Sequence, residues 1–128
     1  MNKQVIYEIN QICGKSQKIK HIGCLFKIGD IHCIYMDYQD PNLLKICIPF
    51  LAKTERMDLL QTINIINQVN REVKYVKSFL MENGTVSLVY ERKIFDGEKP
   101  NSVVPHMIKV LEFASEYIKR KLLLTKTF

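Results

Sequence analysis

Asp58-Leu-Leu-Gln-Thr-Ile-Asn-Ile-Ile-Asn-Gln-Val-Asn-Arg-Glu72 runs into Val73-Lys-Tyr-Val-Lys-Ser-Phe-Leu-Met-Glu82, then Asn83-Gly84, then Thr85-Val-Ser-Leu-Val-Tyr-Glu-Arg-Lys-Ile-Phe95. Leu59, Ile63, Ile66 and Asn70 share one helical face, which Leu60 and Val69 widen, so the first segment reads as a helix over 55–70. Asn83-Gly84 between two β-branched and aromatic runs is a strong hairpin signal, since the two-residue turn it favours needs positive φ at both positions. Strands are therefore expected near 73–82 and 85–95. A helix feeding a hairpin settles the kind of fold and leaves the chemistry open.

Working towards the C-terminus, Asp96 to Asn101 reads as a loop. Ser102 can cap a last helix over 102–124, with Pro105 in its first turn, where a missing N–H costs little. Val104, Ile108, Leu111, Ser115, Ile118 and Leu122 form one face of that helix. Met107, Val110, Ala114, Tyr117 and Leu124 form an adjacent one.

Working towards the N-terminus, Thr54 is the expected cap of the middle helix, with Glu55 and Asp58 favouring its positive end. Leu44, Ile46, Ile48 and Phe50 alternate as a strand over 43–50, and Pro49 falls near its end, where a missing donor is tolerated. Gln39-Asp-Pro-Asn42 is a turn, with Pro41 presetting its backbone. The run 31–38 is apolar on both faces. It pairs with a strand over 24–28 through Gly29-Asp30. Residues 14–20 read as a polar loop, and Val5, Ile9 and Ile12 mark a first helix over 3–13 that Gly14 closes. The order α-β-β-β-α-β-β-α implies one α+β domain over 1–128, with a mainly antiparallel five-stranded sheet packed with helices.

Composition narrows the class. The chain has 128 residues with 47% hydrophobic and 25% charged content, an ordinary globular balance. No apolar run approaches the ~20 residues of a membrane span, so no membrane partner is expected. Glu8 falls where a secretory signal would carry its apolar segment, so a cytoplasmic location is expected. The net charge of +6 is uneven: +3 over 1–53, −1 over 54–98 and +4 over 99–128, the last including Lys119-Arg120-Lys121.

Candidate chemistry is sparse. Cys13, Cys24, Cys33 and Cys47 are irregularly spaced, with no CxxC, whereas a zinc site needs tight pairs because one loop must present two ligands. Cys24, Cys33 and Cys47 with His21 and His32 could gather soft metal ligands on neighbouring strands, but the cysteines are read as core thiols, and neither metal, cofactor nor disulfide is expected. No phosphate-binding glycine loop, nucleophile elbow or HExxH occurs, and His106 reads as a surface residue. Asn64, Asn67 and Asn70 recur every three residues. Such amides can hold a partner's backbone, or satisfy loop carbonyls and face water; the structural role is preferred for them. Lys74-Tyr-Val-Lys-Ser-Phe79, with Arg92-Lys93 on the next strand, interleaves bases and aromatics as a single-strand nucleic-acid surface would. The plainer reading turns Tyr75 and Phe79 to the core.

The helix Leu59-Leu-x-x-Ile-Asn-x-x-Asn67, the strand start Val76-Lys77, the Asn-Gly turn and Met107-Ile108…Leu111 resemble the YbjN-like group, which shares its architecture with type III secretion chaperones of the CesT kind. The likeness spans residues 24 to 122, and this chain departs from the acidic secretion chaperones in being basic. The resemblance implies a bacterial, non-catalytic protein that binds other protein segments, often as a homodimer.

Three functions follow, in order. The first is a protein-binding module, chaperone-like or regulatory and not an enzyme, that docks a partner segment on apolar surface beside the sheet, helped by strand addition at an open edge. Tyr35, Tyr38, Phe79, Asn64, Asn67 and Tyr117 are its candidate contacts, with Lys119, Arg120 and Lys121 steering an acidic partner. Apolar surplus on the last helix and on 31–38 suggests a homodimer. The second is a nucleic-acid-binding regulator using the basic ends. The third is a small cysteine- or metal-dependent enzyme.

Overall fold

A computed structural model describes residues 2–38, 40, 42–54 and 58–126. The elements are α1 (Lys3–Cys13), β1 (Gln17–Ile19), β2 (Gly23–Ile28), β3 (Ile31–Asp37), β4 (Leu43–Lys53), α2 (Leu59–Glu72), β5 (Val76–Leu80), β6 (Thr85–Lys93) and α3 (Pro100–Lys126). The strands form one antiparallel six-stranded sheet in the order β1-β2-β3-β4-β6-β5. One core cluster joins the sheet to all three helices. Val5 and Ile9 of α1, Ile65, Ile66 and Val69 of α2, and Val104, Met107, Leu111 and Ile118 of α3 close on Cys33, Tyr35, Ile46, Leu88 and Tyr90. The molecule is thus a helix layer on one face of a sheet.

The expected helix over 3–13 is α1, capped by the Asn2 side chain on the Val5 N–H. All six residues of the expected α3 face are buried. In the second face Met107 and Ala114 are also buried and Val110 and Tyr117 half-buried, so much of the supposed surplus is spent inside the monomer.

Several expectations are corrected. The sheet has six strands, not five, because Gln17–Ile19, read as loop, pairs with Gly23–Leu25. Three residues, two of them polar, carry no periodicity, and only the neighbouring strand makes them a strand. Gly23 is required there: its φ is +154, and a Cβ would stand 1.9 Å from the Tyr35 carbonyl oxygen. Strand β4 runs on to Lys53, so Pro49 lies inside it, at a register shift between Ile48 and Ala52 where no ladder donor is demanded. Helix α2 is capped by Asp58, whose carboxylate accepts from the Leu60 and Gln61 N–H groups. Thr54 is no cap; its hydroxyl and N–H both donate to the Gly84 carbonyl and tie the hairpin tip to β4. In that hairpin only Gly84 is left-handed, at φ 81, while Asn83 acts through its side chain, which accepts from the Thr85 N–H and hydroxyl. Helix α3 starts at Pro100, so the N–H-free first position belongs to Pro100 and Pro105 lies in the second turn; the Ser102 hydroxyl donates to the Lys99 carbonyl. The roles given to Gln39, Pro41 and Glu55, and to the side chain of Leu124, lie outside the described residues.

Candidate functional site

Successive side chains of a strand point to opposite faces, and directly paired residues share a face. The register therefore sorts the sheet into two rows, one residue apart. Cys24, Tyr35, Ile46, Tyr90 and Val76 stand side by side under the helices and are buried. Leu25, Ile34, Cys47, Val89 and Lys77 stand side by side on the other face, which no helix covers. Met36 on β3 and Pro49 on β4 extend this second row, and Phe79 ends it on β5, 48% exposed. Ile34, Met36, Cys47, Pro49 and Val89 are half-buried. The solvent face of an antiparallel sheet is ordinarily polar. Here it is apolar at its centre.

The border of this band is cationic. Lys27, Lys45, Lys53, Lys77 and Lys93 share the face with Glu91 as the described acid of these strands. Lys45 Nζ lies 4.0 Å from a Glu91 carboxylate oxygen and 5.6 Å from the centroid of the Tyr38 ring. The Tyr38 contact holds the Lys45 ammonium above its ordinary range.

Among the described residues both sheet edges are partly closed. At β5, the Asn70 side chain occupies the place of a next strand: its Oδ1 accepts from the Ser78 N–H at 2.7 Å and its Nδ2 donates to the Ser78 carbonyl at 3.1 Å. The Ser78 hydroxyl adds a bond to the same oxygen at 2.8 Å. At the other edge β1 has three residues, which is too short to pair well.

The nine predicted contacts do not converge. Tyr35 is corrected outright: at 1% exposed it belongs to the core, with its hydroxyl donated to Asp37 and its pKa pushed up by burial and then by Asp37. Tyr38 and Phe79 do lie on the open face, at its β3 end and its β5 edge. Asn64 and Asn67 are exposed along α2 and line a polar groove of about 730 Å³ with Gln68, Arg71 and Lys77. Tyr117 donates its hydroxyl to Glu72 and carries the Lys121 ammonium 5.4 Å from its ring centroid. Lys119 and Arg120 are exposed on α3, in the helix layer and away from the open face. Phe79 does not face the core, whereas Val76 and Ser78 do; Tyr75, 64% exposed, lies against the core residue Tyr90. Ile34, Met36 and Val89 are not among the predicted contacts, although the two-faced apolar run 31–38 carries the signal of the first two.

The four thiols are free cysteines, buried or half-buried. Burial raises all four, Cys33 to about 12, and a thiol held up is a poor nucleophile. Cys33 donates to the Ile31 carbonyl and Cys47 contacts the Met36 sulfur, so no described histidine bonds a thiol. His106 is exposed, with Tyr75 and Tyr90 beside its ring. Among the described residues no group of three or more His, Cys, Asp or Glu could hold a metal ion, and no helix is long and apolar enough to cross a membrane.

No family model and no curated protein matches the chain. A crystal structure of an uncharacterised protein from Methanothermobacter thermautotrophicus is similar at a TM-score of 0.65 and 10% identity, covering 95% of this chain and 96% of that one. At that identity the likeness establishes a shared α+β fold with an open antiparallel sheet.

Proposed function

We propose that this chain is a non-catalytic protein-binding module, chaperone-like or regulatory, that docks a partner on its open sheet face. The observation that carries the reading is the uncovered row Leu25, Ile34, Cys47 and Val89, with Phe79 at its end. The occupant is a protein surface with an apolar centre and acidic border, because lysines border the row. Apolar contact supplies affinity, and the border charges set encounter rate. Steering moves accordingly from Lys119, Arg120 and Lys121 to Lys27, Lys53, Lys77 and Lys93. A second copy of the chain is the less favoured occupant, since like lysines would meet across the pairing.

The test is capture from extract by wild-type chain and by variants of matched thermal stability. Ile34→Glu with Val89→Glu should abolish capture of the specific partner. Reversing Lys27 and Lys77 to glutamate should slow it about tenfold at low salt, on the scale of electrostatic steering. Reversing Lys119, Arg120 and Lys121 should leave it unchanged. Capture indifferent to the first pair sinks the docking face, and turnover of a small metabolite sinks the non-catalytic reading. Sedimentation at tens of micromolar, the scale of a modest interface, reads whether a homodimer takes the face instead.

Single-stranded nucleic acid is a second reading, supported by outward Phe79 beside Lys77. Binding of an oligothymidine that weakens steeply with salt would favour it.

A further inference from the structure

An open, shallow cavity of about 300 Å³ lies on the surface of the helix layer where α2 ends and the chain turns into β5. Its apolar lining is Val73, Tyr75, Val110 and Phe113, and Lys74 and Lys109 stand in its wall. The volume lies at the lower end of the range for small-molecule sites.

The walls are set before any ligand arrives. Tyr75 has φ 77, a left-handed conformation that aromatic residues rarely adopt. This breaks strand alternation and swings the ring to the helix side of the sheet. There it stacks on Tyr90 at 5.9 Å with 7° between the planes and meets the edge of His106 at 5.6 Å. It remains 64% exposed. On the opposite element Phe113, 55% exposed, stacks on Tyr117 at 6.1 Å. Two aromatic side chains thus present free surface while their positions are held by neighbours, which lowers the ordering cost of binding.

The charges select the ligand. The one acid in the lining, Glu72, has both carboxylate oxygens engaged, one by the Tyr117 hydroxyl and one by the Gln68 amide. Those bonds hold its pKa below the ordinary value, so it stays ionised and committed. Lys74 and Lys109 have no ion-pair partner among the described residues. Apolar aromatic surface beside two uncommitted ammonium groups suits a planar ring that carries an anion.

We propose that this cavity binds a small aromatic carboxylate, its ring against Tyr75 and Phe113 and its carboxylate towards Lys74 and Lys109. The site is independent of the open sheet face, so the two stand or fall separately.

A charge series on one ring tests it: indole-3-acetate, indole and tryptamine, titrated into isotope-labelled full-length chain and followed by backbone amide NMR. Small ligands of this kind bind in the millimolar range. Indole-3-acetate should shift the amides of 73–76 and 109–113, bind about threefold or more tighter than indole, and leave tryptamine weakest. Lys74→Glu with Lys109→Glu, both exposed positions, should reverse the order. Phe113→Ala should weaken all three ligands while the spectrum stays dispersed. The proposal is overturned by an absence of shifts at these amides, by shifts confined to the open face at Ile34 and Val89, or by tryptamine binding as well as indole-3-acetate. A preference unchanged in the double variant overturns it as well.

Discussion

The two faces of the sheet are one residue apart in sequence and opposite in fate. Tyr35, Ile46 and Tyr90 are buried under three helices, whereas Ile34, Cys47 and Val89, each a direct neighbour along the chain, look outward and are half-buried, with no described helix over them. Both rows are apolar, so composition does not distinguish them. What distinguishes them is the helix layer, which can cover only one side. The inner row does the work of folding, and the outer row is left available for contact.

Truncating one residue in each row gives the sharpest break of this comparison. Ile46→Ala should cost about 2–5 kcal/mol in denaturant unfolding, the range for emptying a packed aliphatic site. Ile34→Ala should cost about 1 kcal/mol or less, because half-exposed groups lose little burial. Equal losses would mean that the outer row is also packed in the free protein.

The edge at β5 gives an intermediate effect. Asn70→Ala should destabilise by about 1–3 kcal/mol, since it leaves the Ser78 N–H and carbonyl without partners. Asn64→Ala and Asn67→Ala, at exposed positions of the same helix, should stay within about 0.5 kcal/mol. Asn70→Ala should also promote self-association by uncovering a strand edge, readable by light scattering.

The smallest effect concerns the loop that fastens the inner face to α3. Glu98 accepts from the Phe95 N–H and from Arg92, and in that order these bonds hold its pKa below the usual carboxylate value. A depressed carboxylate contributes stability above its unfolded pKa of about 4.3 and loses it as pH falls through the folded value. The melting temperature of wild type should exceed that of Glu98→Gln near neutrality, and the gap should close in acid. A constant gap would place the role of Glu98 in packing.

Long periodic segments were legible. The 3–13 helix, the buried face from Val104 to Leu122 and the hairpin pairing of 76–80 with 85–93 all follow from spacing, because an amphipathic repeat leaves a helix or strand little choice. The candidate site was half legible. The run 31–38 announced apolar surplus on both faces. For that reason it gave no sign of which parity lies inside, and Tyr35 was placed on the wrong side. Asn64, Asn67 and Asn70 look alike in sequence, yet among the described contacts Asn70 is the one of the three that hydrogen-bonds to β5.

By itself, then, the sequence determined the three helices, the hairpins, a fold of the α+β class and the excess of apolar residues, since each depends on local period and turn chemistry. Tertiary structure decided what depends on neighbours. It made Gln17–Ile19 a sixth strand, closed the β5 edge with Asn70 and turned Tyr75 onto Tyr90. It also chose which of two equally apolar rows is core, because a row is buried only where another layer stands over it.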